Sequence, residues 1–193
     1  YGVDEVIEDP AQLPDGIGRI VRGIVQVPSY LDGDGGVGTG AVRDANGLPK
    51  WSGKTLDMPF SCMLTKRQLG RVSGAVEPAL PVVYGHGLLG SHREVERGDL
   101  AKSAADQNFM HCATDWLGMS ENDIQGAIAA LTDLSKFGAV VDRMMQGIVG
   151  QLALARVLRH PNGFSKHPAF QPCNGPPNAF CPFPPVSTYD VDE

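Results

Sequence analysis

The chain has 193 residues, 42% of them apolar and 20% charged, which is the profile of one ordinary globular domain able to bury a real core. A formal charge of -6 and a pI near 5.3 argue against a nucleic-acid partner, because holding a phosphate backbone needs clustered Lys and Arg. No stretch approaches the roughly 18 consecutive apolar residues of a membrane span, and the most apolar helix, over 139–158, is interrupted by Asp142, Arg143, Gln146, Gln151 and Arg156.

Residues 1–19 are acidic and turn-rich, with Pro10, Pro14, Gly16 and Gly18, and read as an irregular lead-in. The chain begins at Tyr1 with neither Met nor an apolar leader, as expected of a mature secreted chain whose signal peptide has been removed. Residues 20–31 are rich in Ile and Val and predict a strand, with Pro28 marking an edge position or an exit. A glycine-rich segment follows, from Asp32-Gly33-Asp34-Gly35-Gly36 to Asn46-Gly47, and reads as a long hairpin loop. Asp32 and Asp34 are spaced like the first ligands of a calcium loop, but the later acidic positions and the closing Glu do not follow, so no metal is expected. Residues 55–64 are the returning strand. A lead-in and β-hairpin region over 1–75 is therefore expected ahead of a second region, 76–193.

From Ala79 the pattern alternates strand and helix, the signature of a parallel sheet with helices on its faces. Residues 80–84 are a short buried strand running into Gly85-His86-Gly87. Ser91 and Glu94 have capping-box spacing and predict a helix to about Gln107. Residues 108–114 are the next buried strand, and Ser120 with Asp123 caps a second helix to about Leu134. Val140, Val141, Met144, Met145, Ile148, Val149, Leu152 and Leu158 trace the apolar stripe of a longer helix, read as core packing and closed by His160-Pro161-Asn162-Gly163. A Pro-rich loop over 172–185 follows, and 186–191 have the pattern of another strand.

The four cysteines are Cys62, Cys112, Cys173 and Cys181. Cys173 and Cys181 enclose a stiff polar loop that a short disulfide would hold, which implies an oxidising compartment. Cys112 lies in the apolar run Phe109-Met110-His111-Cys112-Ala113 and reads as a small buried hydrophobe. Zinc-type spacing is absent, and no cofactor is expected.

The most informative segment is 81–91, Pro-Val-Val-Tyr-Gly-His-Gly-Leu-Leu-Gly-Ser. A strand ending in His-Gly and another small turn lets the backbone fold back sharply, which aims the next amides into an open crevice where they can hold a developing negative charge. Alone, His-Gly is an ordinary strand-to-loop turn. It is joined by Thr114-Asp115-Trp116-Leu117-Gly118-Met119-Ser120 after the next strand, which resembles the Asp-x-x-Gly-x-x-Ser loop following the fourth strand of many α/β-hydrolases. In this order, with a helix between them, the two motifs resemble the α/β-hydrolase superfamily. The stretch 81–170 is similar to bacterial secreted lipase-like and esterase-like hydrolases.

The resemblance implies an α/β fold, the first half of a doubly wound hydrolase sheet preceded by the β-hairpin region. It implies that the Leu88 N–H faces the oxyanion while His86 and Gly87 shape the turn. Leu89, Trp116 and Met119 are expected beside the substrate, with packing of their own loop the alternative role for Trp116 and Met119. It also implies a nucleophile elbow, G-x-S-x-G, after the helix that ends near His160. No such motif occurs in the 193 residues, and Ser187 lacks the flanking glycines for that turn. The Ser, His and acidic members of a triad are therefore expected on the remainder of the same polypeptide or on a second chain, acting on a small-molecule or polymeric ester. A cleavage-matured amidase or acylase subunit and a non-catalytic binding module are the rival readings.

Overall fold

In a computed structural model, which describes residues 1–172 and 188–189, the chain forms an α/β fold around one five-stranded mixed sheet ordered β1-β2-β3-β5-β4. The strands are β1 (Gly2–Ile7), β2 (Ile17–Pro28), β3 (Thr55–Thr65), β4 (Leu80–Tyr84) and β5 (Phe109–Thr114). β1, β2 and β3 form an antiparallel meander, and β3 continues antiparallel onto β5. Only β4 runs parallel to β5, and the two are joined by the crossover that carries α1 (Gly98–Gln107). The hairpin strands and the strands beyond Ala79 thus share a single sheet.

Alternation along the strands feeds a core on each face. On one face Val21, Val25 and Val27 of β2, Met58, Phe60 and Leu64 of β3 and Met110 of β5 pack under α3 (Phe137–Arg159) with Phe164 and Phe170. On the other, Ile20, Met63 and Ala113 pack under Ala101 and Ala104 of α1 and under Val95 of the 3-10 turn His92–Glu96. Helices on both faces bury the two sides of the sheet, as its parallel part requires.

Four expectations are corrected. The lead-in is not irregular, because residues 2–7 form edge strand β1 against β2. Helix α1 does not start at a Ser91–Glu94 capping box. Ser91 makes no side-chain cap, the turn His92–Glu96 intervenes, and the Glu94 carboxylate instead accepts the Gly87 N–H at 3.0 Å. Cys112 is not a free buried thiol but is disulfide-bonded to Cys62, its direct partner across the β3–β5 pair, with Cα atoms 4.1 Å apart. That spacing suits a directly opposed antiparallel pair.

The fourth concerns α3, whose apolar stripe faces the core only in part: Leu158 is buried in it, while Val140, Met144 and Val149 are half-buried. Val141, Met145, Ile148 and Leu152 are exposed, whereas Arg143, Gln146, Gly147 and Gly150 are buried. The reason is close approach. A Cβ at Gly147 would collide with the Trp116 ring and lie 2.8 Å from the Leu117 carbonyl, and one at Gly150 would lie 2.6 Å from Met58 Cε. Gln146 also donates to the Pro28 carbonyl (3.1 Å) and accepts from the Tyr30 N–H (2.8 Å), so its burial costs no unmet hydrogen bond.

Ser120 and Asp123 form a capping box leading into α2 (Ile124–Thr132), and Asn108 closes α1 in the left-handed conformation. Asp32 and Asp34 accept backbone N–H groups of Gly40 and Gly36 within their own loop. No helix among the described residues is long and apolar enough to cross a membrane. The expected Cys173–Cys181 disulfide, Ser187 and the 172–185 loop beyond Pro172 lie outside the described residues, as does most of the strand expected at 186–191. Within that stretch Tyr189 makes a parallel bridge to Ala79.

Candidate active site

Because β4 and β5 are parallel neighbours, their carboxyl ends open on the same side of the sheet. That is where ligands of open α/β sheets bind. The loop after β4, 85–91, and the loop after β5, 115–120, therefore meet. They meet as an extension of the sheet: the Leu89 N–H donates to the Met119 carbonyl (2.7 Å), the Glu121 N–H donates to the Gly90 carbonyl (2.8 Å), and Gly90 bridges Ser120 in parallel.

His86 ties the two loops from below. The Trp116 N–H donates to His86 Nε2 at 2.8 Å, and His86 Nδ1 lies 2.7 Å from the Gly87 carbonyl. A backbone amide can only donate, so Nε2 accepts, and the proton sits on Nδ1, which donates to the carbonyl. Both ring nitrogens are thereby engaged, and the residue is only 4% exposed. His86 is thus a strut that joins the turn to the loop after β5.

The three successive amides of the turn divide sharply. Gly87 donates to Glu94, and Leu89 donates to Met119. Leu88, between them, has no hydrogen-bond partner for its N–H among the described residues, and its side chain stands 76% exposed. Leu89 holds this geometry with φ at +57°, a left-handed conformation that costs a residue bearing a Cβ about 1–2 kcal/mol. Backbone held in such a state is a recurrent mark of functional turns.

Trp116 is half-buried. It packs beside Gly85 and against Gly147 of α3, and its indole N–H donates to the Met144 carbonyl (3.2 Å). Met119 is half-buried on the same loop. Beneath them Asp123 organises the loop, because its Oδ2 accepts from the Gly118 N–H (2.7 Å), the Ser120 N–H (3.2 Å) and the Ser120 hydroxyl (2.6 Å) while Oδ1 takes the Arg143 guanidinium.

Two side chains that the motif reading left without a role also stand here. Asp115, 3% exposed, accepts both the His92 N–H (2.8 Å) and a contact from His92 Nδ1 (2.7 Å) on the same oxygen. Burial alone would raise the Asp115 carboxyl, but the His92 side-chain and backbone hydrogen bonds outweigh it and hold the group below the ordinary carboxylate range. Asp115 was visible as the first residue of its motif. His92 carried no signal, since only the pairing of the two loops brings it to Asp115. Leu88, His86, Gly87, Leu89, Trp116 and Met119 lie on the two paired loops, and His92, Asp115 and Glu94 stand with them. Among the described residues no group of three or more His, Cys, Asp or Glu is placed to hold a metal ion.

Compared with protein-family models, with curated proteins and with solved structures, the chain matches none.

Proposed function

We propose that this chain is the oxyanion-hole half of a serine-type carboxylic ester hydrolase of the α/β-hydrolase kind, secreted and esterase- or lipase-like, with the nucleophile and its base supplied from outside the 193 residues. The observation that carries the reading is the unpaired Leu88 amide between two amides that are both satisfied. Acyl transfer through a serine builds negative charge on the former carbonyl oxygen, and a donor fixed in advance lowers that barrier without reorganising. The Leu88 N–H provides one donor, and the residue after the nucleophile would provide the second. Trp116 and Met119, flanking the turn, form one wall for the acyl group, with Leu89 beside them. Secretion agrees with the Cys62–Cys112 disulfide, which persists in an oxidising compartment.

The test uses the protein assembled with its nucleophile-bearing segment and follows hydrolysis of p-nitrophenyl esters. Leu88→Pro removes the N–H and is expected to lower kcat by about a hundredfold or more. Leu88→Ala keeps the amide and should leave kcat within a few-fold. If the Pro variant melts like the parent and hydrolyses as fast, the oxyanion role is wrong. If no polypeptide in a folded preparation is labelled by a fluorophosphonate, the non-catalytic module replaces this reading.

A further inference from the structure

A cavity of about 570 Å3 lies away from the turn, between the glycine-rich loop after β2 and the facing surfaces of α2 and α3. Its size falls within the usual range for small-molecule sites, about 300–1,000 Å3. Val37 of the loop closes over α2 so tightly that a Cβ at Gly126 would lie 2.8 Å from Val37 Cγ1. Ala129 of α2 with Ala139 and Val140 of α3 make the rest of an apolar wall.

The polar end is built around Arg143, which is 5% exposed. Its Nε donates to Asp123 (2.7 Å), and Nη1 donates to the carbonyls of Gly35 and Gly36. Nη2 has no acceptor among the described residues, yet it is not sealed from open space. A guanidinium nitrogen with N–H groups free toward the cavity offers a charge-assisted hydrogen bond to an acceptor placed there. Of the charged side chains lining the space, Asp123 offsets Arg143 and the positive charge left over is that of Lys136. Lys136 reaches Asp133 only at 3.8 Å, at the exposed rim, too loosely to cancel it.

We infer that this cavity binds an amphiphilic monocarboxylate, with its carboxylate on Arg143 Nη2 and a medium-length alkyl chain along Val37, Ala129, Ala139 and Val140. A single negative head balances the site, and an apolar body suits the wall of Val37, Ala129, Ala139 and Val140, with Gln125 and Ser135 the neutral polar side chains of the lining. No residue of the 85–91 turn lines this cavity, although Gly118 and Asp123 connect it to the neighbouring loop, and the inference does not depend on the hydrolase reading.

Octanoate, 1-octanol and acetate titrated into the chain, with binding read by calorimetry and amide shifts, separate the parts of the claim. Octanoate binds, with shifts at Gly126 and Val140, while octanol and acetate bind at least about tenfold more weakly, since each lacks one half of the match. Ala129→Phe, which fills the cavity from α2, abolishes octanoate binding without lowering the melting temperature. Octanol or acetate binding as tightly as octanoate overturns the inference, as does no octanoate binding at all, or full binding to a folded Ala129→Phe protein. The head-group comparison takes the place of an Arg143 variant, which would strand buried Asp123. It decides the matter even where Ala129→Phe does not fold.

Discussion

Removing the Cys62–Cys112 bridge is the sharpest test of the fold. The two half-cystines are 50 residues apart in sequence, and in the chain-entropy description a loop of that length constrains the unfolded state by about 4 kcal/mol. A domain of ordinary stability has only about 5–15 kcal/mol in total. The double variant Cys62→Ala, Cys112→Ala should therefore still fold but lose a large share of its margin. With a urea dependence of about 2 kcal/mol per molar, the unfolding midpoint falls by roughly 2 M. The assay is urea denaturation followed by tryptophan fluorescence, in which half-buried Trp116 reports on the packing of α3 against the sheet. Wild-type protein unfolded in the presence of reductant should converge on the variant's curve. A variant midpoint that coincides with that of the oxidised parent refutes the reasoning, as does alkylation of Cys62 or Cys112 in denatured, unreduced protein.

Three further outcomes follow from the same structure. Gly147→Ala should destabilise by about 1–2 kcal/mol although alanine favours a helix by about 1 kcal/mol, because the new methyl meets the Trp116 ring and the Leu117 backbone; Gly138→Ala in the same helix meets nothing within 4 Å and should raise the melting temperature instead. Asp115 has its carboxyl held below the ordinary range, so its contribution is complete above the unfolded carboxyl's pKa of about 3.9 and is lost as the pH falls through the lower folded value. Asp115→Asn should accordingly lower the denaturation midpoint at neutral pH and leave it nearly unchanged in strong acid, and an equal loss at both would show that the His92 pairing is not the cause. Asp123→Ala leaves buried Arg143 without its carboxylate and strips the Ser120 cap, so it should cost about 3–5 kcal/mol in thermal or urea unfolding.

Most of the framework was readable from pattern alone, because each strand from β2 to β5 is an apolar run bounded by Gly, Pro or Asn and each of the helices carries a start or stop signal. What escaped did so for definite reasons. β1 hides its alternation: a register shift between Val3 and Glu5 puts Val3 and Val6 on the same face despite their odd spacing, and the intervening acids look like a solvated tail. The buried face of α3 escaped because periodicity counts apolar residues, whereas this helix docks through glycines and through polar side chains that bond the loop after β2. Cys62–Cys112 needed the knowledge that β3 lies beside β5, a long-range pairing that no local spacing records. His-Gly and Asp-x-x-Gly-x-x-Ser pointed to two loops that the structure pairs, but the His92–Asp115 contact and the Glu94 clasp on Gly87 are not written in either motif.

The pairing also explains why one amide of the turn is left over. Leu88 is 76% exposed, so its amide can be met by solvent and is not driven to a partner in the neighbouring loop. The flanking amides at Gly87 and Leu89 are clamped in opposite directions, to Glu94 of the following turn and to Met119 of the loop after β5. That fixes the peptide plane between them and so fixes where the Leu88 N–H points, which is the preorganisation that a charge-stabilising donor needs. The clamp continues outward: Met119 lies on the loop whose Trp116 is held by His86 on one side and by the glycine face of α3 on the other. Crowding Trp116 from α3 should therefore displace the Leu88 amide although no residue of the turn has changed. The shift would be visible in that amide's nitrogen resonance in Gly147→Ala and absent in Gly138→Ala.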